Sequence, residues 1–121
     1  LFLDALPCNA HTTTSDALWA GLPVLTALGS TFSGRVAASL LTGMGLPELI
    51  ASSTEDYTQI ALNLARDRTR LDELRSKIAR HRETSALFDT KRYTRNIESA
   101  FETMVEIAKS GNPARPFAVT E

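Results

Sequence analysis

Cys8-Asn9-Ala10-His11-Thr12-Thr13-Thr14-Ser15-Asp16-Ala17-Leu18-Trp19-Ala20-Gly21-Leu22-Pro23-Val24-Leu25-Thr26 is the stretch whose reading decides the fold. An apolar run, Leu1-Phe2-Leu3, leads into its small polar residues. Thr12 or Thr13 predicts the N-cap of a helix reaching about Ala20, and Gly21 is its stop residue. Pro23 to Thr26 reads as a second short strand, parallel to the first. Two strands joined through a helix form a parallel crossover unit. The polar loop opens the helix, where unpaired N–H groups and the helix dipole favour an anion. With His11, Thr12, Thr13 and Asp16 gathered at that point, the arrangement suits a nucleotide diphosphate.

Outward from this unit, Val36, Leu40 and Met44 recur at four-residue spacing with Ala37 and Leu41 beside them. They predict a helix from about Phe32 to Thr42, stopped by Gly43 and Gly45. Leu49-Ile50-Ala51 predicts a short edge strand. Ser53 or Thr54 then caps a helix with Glu55 and Asp56 in its first turn and an apolar face of Tyr57, Ile60, Ala61 and Leu64. A helix from about Arg70 to Arg82 buries Leu71, Leu74 and Ile78, and its charged residues read as a solvated face. Leu87-Phe88 docks on the core. Thr90 caps a last helix to about Lys109 with a stripe of Tyr93, Ile97, Ala100, Phe101, Met104 and Ala108. Gly111, Pro113 and Pro116 end regular structure, leaving a loose tail.

The 121 residues suffice for one domain at most. A net charge of −1 without a basic cluster argues against a nucleic-acid partner. The single cysteine, Cys8, excludes an intrachain disulfide framework and a cysteine-based zinc site. No apolar run is long enough to span a bilayer, and the first residues, apolar without a charged leader or a cleavage pattern, are not expected to be a signal peptide. The expected setting is cytoplasmic, with no membrane partner. The chain starts without Met inside a strand pattern, so it is expected to be a piece of a longer protein whose upstream part supplies further strands. With so few strands of its own, it is also expected to be held by self-association, as a homo-oligomer.

Taken in order, Leu1-Phe2-Leu3-Asp4, Cys8 to Thr13, Ser15 to Gly21, Pro23 to Thr26, Gly34-Arg35-Val36-Ala37-Ala38-Ser39, Leu87-Phe88-Asp89-Thr90 and Tyr93 resemble the C-terminal part of the catalytic region of O-linked N-acetylglucosamine transferases. The resemblance is to the bacterial tetratricopeptide-repeat type, which is SPINDLY-like. The resemblance runs to about Asn112. It implies an α/β fold: a partial Rossmann-like half of a GT-B-type glycosyltransferase, with few parallel strands, several helices and a long C-terminal helix. Residues 1–89 would be the C-terminal portion of the nucleotide-sugar-binding domain, 90–112 the long helix and 113–121 a flexible tail. The implied reaction moves N-acetylglucosamine from UDP-GlcNAc to Ser or Thr of a protein acceptor, with inversion, no cofactor and no metal. Thr12 and Thr13 are implied as diphosphate ligands, His11 as the residue beside the diphosphate and ribose, Asp16 as acceptor for ribose hydroxyls and Cys8 as a neighbour of the sugar. Thr14 and Ser15 receive no role. The general base and the phosphate-binding lysine would lie upstream, so the chain holds no catalytic residue, would need the upstream part of its own protein and would be inactive alone.

Each residue has a plainer reading. His11 could be a structural histidine, Thr12 and Thr13 simple caps, Asp16 a favourable first-turn acid, and Cys8 a small buried apolar residue. Trp19 is expected in the core. Arg35, near a helix start, is expected to pair with a carboxylate, its alternative being a ligand anion. His81, among basic residues, is expected to be idle. Two rival functions stand beside the first. One is a non-catalytic helical module, Thr54 to Lys109, that self-associates. The other is a related glycosyltransferase with another donor or acceptor, such as an asparagine-directed glucosyltransferase.

Overall fold

The computed structural model describes residues 1–119. The elements run β1 (Phe2–Leu3), α1 (Thr12–Trp19), β2 (Val24–Ala27), α2 (Val36–Gly43), a 3-10 turn (Pro47–Leu49), β3 (Ile50–Ala51), α3 (Thr54–Arg66), α4 (Arg68–Arg82) and α5 (Thr90–Lys109). The three strands form one parallel sheet in the order β1-β2-β3, with Phe2 opposite Val24, Leu3 opposite Leu25, Thr26 opposite Ile50 and Ala27 opposite Ala51. All four residues of β2 are buried. That is what a central parallel strand covered on both faces requires. Helices α1, α2 and α3 pack on β2, and α4 packs on α1 and α3. The expected edge strand is therefore real, shortened to Ile50–Ala51 because Pro47 starts a 3-10 turn in front of it.

The chain divides into two compact units, Leu1–Phe88 and a second that begins at Asp89. In the first, Leu18, Val24, Leu41, Met44, Leu46, Leu49, Leu64, Leu74 and Ile78 form the core, with Leu71, Leu87 and Phe88 packed against it as expected. Both crossover helices end in a Schellman motif. At α1, Gly21 (φ +81°) and Leu22 donate to Leu18 and Ala17; at α2, Gly45 (φ +69°) and Leu46 donate to Thr42 and Leu41. The 6→1 bond at α2 brings Leu41 and Leu46, both fully buried, into the core together.

Some expectations are corrected. Helix α2 begins at Val36, four residues later than the periodicity suggests, because Phe32 to Arg35 form a turn closed by the Arg35 N–H on the Phe32 carbonyl at 3.0 Å. Its buried face is Ala37, Ala38 and Leu41, so Val36 and Leu40 are only half-buried. Trp19 is not core: it is 55% exposed, edge-on to Phe88 and under the Arg82 guanidinium, which also donates to the Trp19 carbonyl at 2.9 Å. His81 is not idle: its Nδ1 lies 2.9 Å from the Met44 carbonyl at the end of α2. The cap of α5 is Asp89 rather than Thr90, accepting from the Arg92 N–H at 2.9 Å.

In the second unit no residue of α5 is buried, and the striped residues Tyr93, Phe101 and Met104 are more than half exposed. Residues 113–119 carry no regular secondary structure, and residues 120 and 121 of the expected tail lie outside the described residues.

Candidate functional site

The site grows from the carboxyl ends of β1 and β2, where open parallel sheets place their ligands. Asp4 follows β1 directly and extends its pairing, its N–H donating to the Leu25 carbonyl at 3.0 Å. Its side chain is buried, as a carboxylate can be only when donors surround it. Oδ1 accepts the Ala5 N–H at 2.8 Å and the Ala10 N–H at 2.7 Å, and Oδ2 accepts the Thr26 hydroxyl at 2.6 Å. The Tyr57 hydroxyl, reaching over from α3, donates to the Asp4 carbonyl at 3.0 Å. Burial, then the Asp4 charge, raises the Tyr57 phenol above its ordinary range and keeps it a donor.

This clasped loop abuts the loop between β2 and α2. The Ser33 carbonyl accepts the Asn9 N–H at 2.9 Å and lies 3.3 Å from His11 Nε2. Because the partner is a carbonyl, Nε2 carries the hydrogen of this contact. Phe32 stands edge-on to the His11 ring. The second loop is closed by the Gly29 N–H on the Gly34 carbonyl at 2.8 Å. A Cβ at Gly29 would lie 2.8 Å from that carbonyl, and one at Gly34 would lie 2.9 Å from the Pro7 carbonyl, so neither position has room for a side chain.

His11 is the N-cap residue of α1 and makes no side-chain cap; no acid sits in the first turn. Among the described residues the N–H groups of His11, Thr12, Thr13 and Thr14 find no partner, while Ser15 N–H already bonds the His11 carbonyl. Helices α3, α4 and α5 differ: Ser53, Asp67 and Asp89 cap them. Among the described residues, the α-helices that follow β1 and β2 are the ones without a side-chain cap. The positive end of α1 is thus uncompensated and open, which is the geometry an anion needs.

The sequence-predicted residues meet there. His11, Thr12, Thr13 and Asp16 are all exposed on or beside the first turns of α1. Cys8 is exposed on the preceding loop, so the reading of it as a small buried residue is corrected. Arg35 is corrected too: as the N-cap residue of α2 it is exposed and makes no ion pair among the described residues. Three groups escaped the sequence reading. Asp4 and Thr26 form the buried clasp, and Thr14 is fully buried with a hydroxyl that has no partner. An acid directly after an apolar strand and a hydroxyl in the next strand stand in the sequence, but only the strand register pairs them.

Residues 1–97 match the model of glycosyl transferase family 41. The chain is 39% identical over 111 residues to a UDP-N-acetylglucosamine--peptide N-acetylglucosaminyltransferase of Caenorhabditis elegans, covering 92% of this chain and 10% of the relative. It is 37% identical over 122 residues to a probable enzyme of the same name, SEC, of Arabidopsis thaliana, covering 100% of the chain and 12% of the relative. To the probable SPINDLY enzyme of Oryza sativa subsp. japonica it is 40% identical over 102 residues, 84% of the chain and 11% of the relative. Among solved structures, a mutant of the Thermobaculum terrenum O-GlcNAc transferase superposes with a TM-score of 0.79 at 39% identity, over 84% of this chain and 20% of that one. The chain spans about a tenth of the length of these curated relatives. The likeness bears out the expected α/β fold, part of a GT-B-type half.

Proposed function

The chain belongs to glycosyl transferase family 41, and from that membership we propose that it is the UDP-sugar-binding segment of an inverting transferase that moves N-acetylglucosamine from UDP-GlcNAc to Ser or Thr of proteins. The observation that carries the reading is the uncapped start of α1, with four consecutive unpartnered amides beside exposed His11, Thr12, Thr13 and Asp16. Those amides face the diphosphate in this reading, joined by the Thr12 and Thr13 hydroxyls. Asp16, one turn along, accepts from the ribose hydroxyls, His11 packs beside ribose and diphosphate, and Cys8 borders the sugar.

The chemistry assigned to this chain is charge stabilisation. As the glycosidic bond breaks, negative charge grows on the departing phosphate oxygen. Fixed N–H donors aimed at it need no reorganisation, and losing one such donor costs about 3 kcal/mol. The general base and the phosphate-binding lysine are assigned to upstream sequence, so the chain alone binds without turnover. The reading involves no metal and a cytoplasmic setting. No helix among the described residues is long and apolar enough to cross a membrane.

The test is a UDP titration of the isotope-labelled protein followed by amide NMR. The expected shifts centre on His11 to Asp16, with uridine, which lacks phosphate, far weaker. Shifts absent at millimolar UDP, or confined to other elements, overturn the reading. A second reading, self-association through the helical region Thr54 to Lys109, rests on the exposed apolar stripe of α5. Its test is molar mass in solution, where a concentration-independent monomer rejects it.

A further inference from the structure

We propose that Asp4 is a positioning residue for the nucleoside-diphosphate site, a role that rests on the UDP-binding reading above. The β1–α1 connection has no helix or strand from residue 5 to 10, yet it must present α1 in one orientation. Asp4 supplies the missing constraint. One carboxylate oxygen holds the Ala5 and Ala10 amides, the two ends of that connection, and the other is held by Thr26 in the middle of the sheet. Hydrogen bonds to an ionised acceptor are the strong kind, and here they are shielded from water.

The same bonds decide which amides remain for a ligand. Ala10 N–H is taken by Asp4 and Asn9 N–H by Ser33, whereas the next four, His11 to Thr14, are unpartnered. Asp4 therefore sets the boundary at which the run of free donors begins. It does so from inside the protein, without reaching the ligand. Through its carbonyl it also ties this boundary to Tyr57 of α3.

The experiment is the UDP titration repeated on variants of the full chain, read together with hydrogen exchange of the Ala10 amide. Asp4→Ala is expected to speed Ala10 exchange and to raise the UDP concentration for half-maximal shifts of His11 to Thr14 by about tenfold, while α3 and α4 amides keep their wild-type positions. Asp4→Asn retains the Oδ1 acceptor and is expected to stay within about threefold of wild type. Thr26→Val removes only the Oδ2 donor at nearly constant shape; it is expected to speed Ala10 exchange and weaken UDP by about threefold, and it serves if Asp4→Ala does not fold. The proposal is overturned if folded Asp4→Ala titrates like wild type, or, should that variant not fold, if Thr26→Val leaves exchange and titration unchanged. A wild-type protein that shows no UDP response refutes the nucleotide reading and this proposal together. A normal wild-type response with an unaffected Asp4→Ala refutes this proposal alone.

Discussion

Gly21 and Gly45 occupy the same C′ position of the same motif at nearly the same φ, +81° and +69°. They differ in surroundings. An added Cβ at Gly21 meets nothing within 4 Å, whereas at Gly45 it would lie 3.2 Å from His81 Nδ1 and 3.3 Å from Cε1. Gly21→Ala should therefore cost only the left-handed backbone penalty of a residue with a Cβ, about 1 kcal/mol. Gly45→Ala should cost that and also push His81 from the Met44 carbonyl, a bond worth about 1 kcal/mol, for a total of about 2 kcal/mol. In an His81→Ala background the crowding and the bond are already gone, so Gly45→Ala should fall back to about 1 kcal/mol. The coupling in the double-mutant cycle is then about 1 kcal/mol. Urea unfolding with a shared m-value is the assay, and thermal midpoints should move by about 4 °C per kcal/mol for a chain of this size. Equal costs at the two glycines, or a cost at Gly45 that His81→Ala leaves untouched, would refute the claim that His81 closes the end of α2.

Asp16→Ala should weaken UDP binding about tenfold in the NMR titration and leave the unfolding midpoint unchanged, since the Asp16 side chain is exposed. Glu48 has a lowered pKa: burial works against ionisation, but the Lys77 hydrogen bond at 2.8 Å, a backbone hydrogen bond and the Lys77 and Arg70 charges outweigh it. A folded value below the usual 4.5 means that the pair's contribution is present above that pH and is lost as pH falls through the depressed value. The stability gap between wild type and Lys77→Met should therefore be widest near neutrality and close below pH 4.5, as followed by urea unfolding against pH. Ser53→Ala should destabilise by about 1 kcal/mol, because Ser53 Oγ accepts the Asp56 N–H at 3.1 Å at the start of α3.

Much of the frame was legible because local chemistry and tertiary packing agreed. Gly21 stops α1, Ser53 caps α3, and Leu74 with Ile78 turn α4 inward, each as the residue type and spacing imply. The failures arose where distant chain decided the outcome. The period of Val36, Leu40 and Met44 suggested a longer helix, but Gly29 and Gly34 clamp the chain before Val36. Trp19 looked like core by composition, yet its ring lies outside against Arg82 and Phe88, residues that no local pattern links to it. His81 looked solvated because its neighbours are basic, although its partner is a carbonyl 37 positions away. At the site, the helix start and its exposed residues could be read from small polar residues at a helix N-terminus. The Asp4–Thr26 bond could not, because it spans two strands whose register emerges only once the sheet forms.

The Ser33 carbonyl joins the two loops at the mouth of the site, and a main-chain oxygen is supplied by every amino acid. The junction is thus indifferent to which residue stands at 33, while its neighbour Gly34 and the more distant Gly29 admit no substitution without displacing backbone. A library randomised across this loop should accordingly retain glycine at 29 and 34 while returning different letters at 33.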